Sequence, residues 1–131
     1  MIIDKALLDQ VSEQAKESSR LRMNYNFHQS LDEKCHRMLN ALEPGTVMPI
    51  HRHLASSETV ALLRGKIRWY FYDDNGNVDE EVVLDANGTG RYTEYMKISL
   101  NALGSSVVTY LCRKESRRRL HGNNEAKKHL E

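Results

Sequence analysis

Between Gly45 and Gly65 the chain places His51, His53 and Glu58 at offsets that suit one task, the holding of a metal ion. Side chains two apart on a strand leave the same face, so His51 and His53, read as lying on a strand over Thr46–His53, are expected to reach one point. Glu58 follows after four residues, at the start of the next strand, where a carboxylate can close on that point. Two neutral imidazoles and one carboxylate form the facial triad of non-haem iron, and the same donors suit zinc, manganese or nickel. A bound ion would polarise a ligand oxygen or activate water. Six histidines in 131 residues make one His-x-His pair a weak sign, with roughly a one in four chance of arising at random. Adding Glu58 and both glycines at their offsets lowers the chance to the order of 10⁻⁴.

A second group lies upstream. Arg20-Leu-Arg-Met-Asn-Tyr-Asn-Phe-His28 alternates polar and apolar residues, which on a strand lines Arg20, Arg22, Asn24, Asn26 and His28 along one face. Arg22, Asn24, Asn26 and His28 are the candidate ligand-binding residues, because a row of donors suits an anionic or hydroxyl-rich molecule. The same row could make a dimer contact.

The elements that must position these residues are mostly strands. Leu7, Leu8, Val11 and Ala15 at spacings of three and four, behind Asp4 as N-cap, predict an amphipathic helix over residues 4–18. Met38–Leu42 reads as a short strand ended by Glu43-Pro44-Gly45. Thr59–Leu63 leads to a turn at Gly65, and Ile67, Trp69 and Phe71 then alternate with Arg68, Tyr70 and Tyr72, one set for a core and one for the exterior. Asp73-Asp74-Asn75-Gly76 is a hairpin turn because Asn and Gly tolerate positive φ, and Val78–Leu84 is its returning strand. Tyr95–Leu100 and Ser106–Cys112 are the last strands. About seven short strands behind one helix predict an all-β barrel or sandwich.

Composition narrows the classes further. The formal net charge is +1, but the chain from Leu111 onward carries +4 and residues 1–110 carry −3. Arg117-Arg118-Arg119 has no aromatic platform beside it, so a solvated tail is expected and nucleic-acid binding is not. No apolar run approaches the roughly 20 residues that cross a bilayer, and the start lacks signal-peptide character, so the expected location is the cytosol. Cys35 and Cys112 form no Cys-x-x-Cys pair and read as free thiols in a reducing compartment.

The pattern G-x5-H-x-H-x4-E-x6-G, met at Gly45, His51, His53, Glu58 and Gly65, resembles the first motif of the cupins. The Arg-x-Asn-x-Asn-Phe-His stretch, Ala-Leu-Glu-Pro-Gly-Thr and Leu-Arg-Gly-Lys are similar to the WbuC-type cupin-fold metalloproteins associated with bacterial O-antigen polysaccharide clusters. The resemblance covers roughly residues 1–88. It implies a double-stranded β-helix (jelly-roll) barrel behind one N-terminal helix, with a divalent metal in its mouth (Zn, Fe, Mn or Ni). It also implies a cytosolic homodimer and a small polar ligand of sugar origin. The expected division is 1–36 for helix and arm, 37–112 for the barrel and 113–131 for the basic tail.

The chain departs from the cupin pattern in its second motif, which supplies a fourth ligand, a His. Between His53 and His121 there is no histidine, and the two possible alignments put Asn101 or Gly104 at that place. A three-donor site binds metal more weakly and leaves more positions to water. The alternative is therefore a non-catalytic binding cupin whose metal site is degenerate. Iron-dependent oxidative chemistry fits the donor types but has no identifiable substrate-positioning element. Whether the protein is an enzyme stays open in the sequence.

Overall fold

The computed structural model describes residues 2–53, 56–88, 91–94 and 97–114. The basic run Arg117–Arg119 and the rest of the expected tail from residue 115 lie outside the described residues, as does Tyr95.

Helix α1 spans Lys5–Glu17. The Asp4 carboxylate accepts the Leu7 amide at 3.0 Å, satisfying a donor that has no intrahelical partner. Among the described residues no helix is long and apolar enough to cross a membrane. Eight strands follow: β1 Arg22–Asn26, β2 Cys35–Leu42, β3 Ser56–Arg64, β4 Lys66–Tyr72, β5 Val78–Asp85, β6 Arg91–Glu94, β7 Lys97–Ala102 and β8 Ser106–Lys114. They form an antiparallel five-stranded sheet in the order β1-β2-β8-β3-β6 and a three-stranded sheet in the order β5-β4-β7.

The register explains which residues share a face. Opposed residues of an antiparallel pair project to the same side. Leu42, Val60, Leu62, Val108 and Tyr110 of the larger sheet meet Ile67, Trp69, Phe71, Ile98 and Leu100 of the smaller one, and this is the main core. The other face of the larger sheet, with Leu39, Ala41 and Val107, is covered by Val11 and Ala15 of α1. Each fully buried large side chain, such as Trp69 or Phe71, contributes about 2–3 kcal/mol. An exposed pair such as Lys5–Asp9 contributes well under 1 kcal/mol, so apolar alternation holds the sheets together.

Both motif glycines sit at corners. Gly45 has φ +96°, and Leu21 Cδ1 lies 3.2 Å from where its Cβ would stand. Gly65 has φ +87°, and a Cβ there would stand 2.5 Å from the Ser105 carbonyl oxygen. Only glycine fits such a position without strain.

Three sequence expectations are corrected. The segment over residues 46–53 is not a strand; it makes one isolated bridge, at His51. The short strand expected over Met38–Leu42 begins earlier, at Cys35, because β2 is paired on both sides. A separate strand β6 precedes β7 where one strand was expected.

Candidate functional site

The chain leaves Gly45 and runs past the smaller sheet, where His51 and Ile98 of β7 exchange backbone hydrogen bonds of 3.1 and 2.9 Å. Glu58 sits near the start of β3 and shares its inward face with Val60, two residues on. His53 and Glu58 then meet across the gap between the two sheets, with His53 Nε2 3.1 Å from Glu58 Oε1. The His51 and His53 rings are 5.2 Å apart at their centroids and nearly perpendicular, at 84°. His51 is 4% exposed, while the side chains of His53 and Glu58 are 27% and 17% exposed. The inner imidazole is thus sealed and the outer pair reaches solvent.

Hydrogen bonds set the protonation pattern. His51 Nδ1 lies 2.9 Å from the Pro49 carbonyl, which only accepts, so Nδ1 carries a proton and, in the neutral ring, Nε2 is the atom able to ligate. A carbonyl behind the ring is the usual device that orients a metal-ligating histidine. Glu58 can accept the His53 Nε2 proton in the same way, and a metal would have to displace it.

The donors were tested against a metal's geometry. Two ligands about 2.1 Å from one ion at right angles stand about 3.0 Å apart, close to the 3.1 Å between His53 and Glu58. The pair fits one edge of a coordination shell. Among the described residues no three His, Cys, Asp or Glu side chains are gathered into a ready-made site. His51 must therefore turn toward the pair to serve as third donor. The inward residues of β7 beside it are Ile98, Leu100 and Ala102, all apolar. Asn101 lies exposed on the outer face, with Nδ2 3.4 Å from the Tyr70 hydroxyl, so it offers no replacement ligand.

The upstream row is brought to the same sheet but not to the same point. Arg22 is 9% exposed and its Nη1 donates to the Val47 carbonyl at 2.7 Å, which braces the segment leading to His51. Asn24 and Asn26 are opposed to Asn40 and Met38, on the inward side, yet both are exposed because β1 is an edge strand. His28 stacks on His36 at 4.2 Å and 7°, with Nδ1 3.1 Å from the Arg37 carbonyl. His36, on which His28 stacks, lies on β2, and β8 separates β2 from β3 by roughly 10 Å along the sheet, so His28 does not join the His53–Glu58 pair.

Sequence reasoning missed Asn40 and Tyr110 as inward polar residues, whereas Trp69 lies in the core, as the β4 alternation predicts. Asn40 (8% exposed) and Tyr110 (8%) lie on the inward faces of β2 and β8, and Trp69 (2%) on that of β4. Burial and the Glu58 charge push the Tyr110 phenol well above its ordinary range, while a hydrogen bond from Asn40 and the Arg22 charge oppose the shift. The phenol is therefore a neutral hydrogen-bond donor. Asn40 Oδ1 and Trp69 Nε1 are buried without a hydrogen-bond partner among the described residues. The sign that could have found Asn40 is its polar side chain at an inward position between Met38 and Leu42.

Elsewhere among the described residues, a cleft of about 680 Å³ lies between the start of α1 and the β3–β4 turn. Its Arg64 is paired with Asp9 at 2.8 Å and its Lys66 with Asp85 at 3.5 Å, so its charges are already answered within the protein.

A family model described as "Domain of unknown function (DUF6016)" matches residues 3–84, more than half of the chain. A comparison with curated proteins finds no match. Solved structures are similar in fold. The Schizosaccharomyces pombe Cnp3 cupin domain aligns with TM-score 0.58 and 10% identity, over 72% of this chain and 65% of that one. The capsular polysaccharide assembling protein CapF from Staphylococcus aureus gives 0.56 and 18%, over 71% and 26%. Fe(II)-HppE with an alternative substrate gives 0.55 and 13%, over 69% and 48%. The chain thus spans less than two thirds of each of these proteins, and at such identities the likeness establishes the cupin fold alone.

Proposed function

Since the chain belongs to the DUF6016 domain family and folds as a cupin, we propose that it binds a divalent metal ion in the barrel mouth and holds a small polar ligand beside it. The observation that carries this reading is the His53–Glu58 pair, set at the separation of two ligands on one ion, with His51 edge-on beside it. His53 and Glu58 would hold zinc, iron, manganese or nickel, with His51 as third donor. When bound, the ion supplies Lewis-acid polarisation of a ligand oxygen. Arg22 keeps the His51 segment in place, while Asn24 and Asn26 present exposed amides on β1. His28, fixed by His36 and Arg37, closes the same row.

The WbuC-type resemblance supports a sugar-derived ligand and a place in bacterial polysaccharide metabolism, as does the fold likeness to a capsular polysaccharide assembling protein. Dimerisation through the exposed edge of β1, and a cytosolic location, belong to the same reading.

The test is elemental analysis of protein purified without chelator. About one equivalent of metal is expected, lost in the His51→Ala, His53→Ala double variant; equal, substoichiometric metal in both would refute the proposal. The apolar inward face of β7 favours a second reading, a non-catalytic binding protein that keeps the barrel with a degenerate centre. Under that reading a thermal-shift response to ligand survives EDTA, whereas the metal-dependent site loses it.

A further inference from the structure

The register of the larger sheet lines up residues of metal-ligating type beside the His53–Glu58 pair. Glu58 of β3 is opposed to Cys112 of β8, and Cys112 in turn to His36 of β2. On its other side Glu58 is opposed to Glu94 of β6. The neighbouring row, Val60, Tyr110 and Met38, belongs to the main core, and strand alternation puts Glu58, Cys112 and His36 on that same inward face. Two carboxylates directly opposed on adjacent strands repel each other, a cost that a cation held between them removes. Glu58 also stands 3.1 Å from His53 Nε2, the separation of two ligands on one ion. A like-charge pair and a pair at ligand spacing thus point separately to a cation beside Glu58. At the far end of the row His36 stacks on His28 and spends Nε2 on the Leu31 carbonyl at 2.9 Å, which ties it to the β1–β2 connection. The β7 wall offers only apolar groups inward.

We propose that Cys112 supplies the fourth metal ligand, as a thiolate from β8 in place of the histidine that this chain lacks. The proposal rests on the reading of His53 and Glu58 as a metal pair, and it names the donor that completes the set and the metals that donor selects. Opposed residues on one face stand about 5 Å apart between Cβ atoms, and bonds of roughly 2.3 Å to sulfur and 2.1 Å to oxygen let one ion bridge such a gap. As the metal–sulfur bond forms, the thiol proton passes to solvent, with no change of oxidation state. A thiolate is a soft donor, so the completed set favours zinc, and its mimic cobalt(II), over manganese, which prefers oxygen.

Cobalt(II) is the probe, because thiolate coordination gives it an intense near-ultraviolet charge-transfer band that nitrogen and oxygen donors do not. The chain has two cysteines, and Cys35 is exposed on the face of β2 opposite to His36. Cys35→Ser therefore leaves Cys112 as the single thiol without entering the row. In that background about one equivalent of cobalt should bind and develop the band, and zinc should displace it. Saturating zinc should also slow the reaction of the remaining thiol with a disulfide reagent tenfold or more. Adding Cys112→Ser should remove the band and weaken zinc binding tenfold or more, with little change for manganese. The thiol-protection measurement leaves Cys112 in place, so it decides the matter even where Cys112→Ser folds poorly. Cobalt bound without the band, or a thiol that reacts equally fast with and without zinc, would overturn the proposal and leave the His53–Glu58 metal reading standing. No bound cobalt would overturn both, whereas a band that survives His53→Ala would refute the pair and support the thiolate alone.

Discussion

At the end of the barrel where β3 turns into β4, the Ser106 hydroxyl accepts the Lys66 amide at 3.1 Å and donates to the Gly104 carbonyl at 2.8 Å. Ser105 donates to the buried Glu43 carboxylate at 2.7 Å, and the Gly65 corner leaves no room for a side chain. At the opposite end His53 and Glu58 lean on each other and the nearby β7 wall offers only apolar groups. Both ends place a glutamate carboxylate against a hydrogen-bonding side chain, a serine at one and an imidazole at the other. Where the groups satisfy one another the product is stability, and the more open end is where the proposed function places binding, at a cost in stability.

The contrast can be broken by substitution. The largest effect should come from Gly65→Ala, which combines a left-handed backbone position with a collision at Ser105, and should cost about 3 kcal/mol or more in urea unfolding. Ser106→Ala comes next, at about 1–3 kcal/mol, because the Lys66 amide is left without its acceptor. His53→Ala should change stability by less than about 1 kcal/mol while abolishing metal uptake, measured by the same unfolding curves and by elemental analysis. Equal destabilisation by Ser106→Ala and His53→Ala would erase the distinction between the ends.

The smallest effect sharpens the comparison at a turn far from both glycine corners. The Asp73 carboxylate, which accepts the Asn75 and Asn77 amides at 2.9 Å, is held below its ordinary 3.8, chiefly by the Asn77 amide. A carboxyl depressed in the folded state stabilises above its unfolded value and loses that contribution as pH falls through the folded one. Asp73→Asn should therefore unfold slightly more easily than wild type at neutral pH, and the two acid-unfolding curves should converge at low pH. A gap that persists or widens in acid would show that the turn is held by something other than this carboxylate.

Much of this was legible in the residues. The β4 alternation, the helix cap at Asp4 and the corners at Gly45 and Gly65 follow from local chemistry, which acts over a few residues wherever the segment ends up. The approach of Glu58 to His53 does not: it depends on how tertiary packing sets the His51 segment, bridged to β7 of the smaller sheet, against β3 of the larger one. The expectation of a strand over residues 46–53 failed for a related reason. Alternation there is not enforced by a ladder, since among the described residues of the segment only His51 forms a β-bridge, and the two rings meet edge-on. Asn24 and Asn26 show the converse, where pattern gave the face correctly but edge position decided exposure.

The coverage of the larger sheet on both sides has a dynamic consequence. Leu39, Ala41 and Val107 are fully buried beneath α1, while Leu42 and Val108 are fully buried toward the barrel. Strands β2 and β8 cannot expose their amides by release of either layer alone, so their hydrogen exchange should track global unfolding. The His53–Glu58 pair lies toward one end of strands whose middles should open slowest, so the ligand entry proposed there would loosen the rim without reaching the framework that holds it.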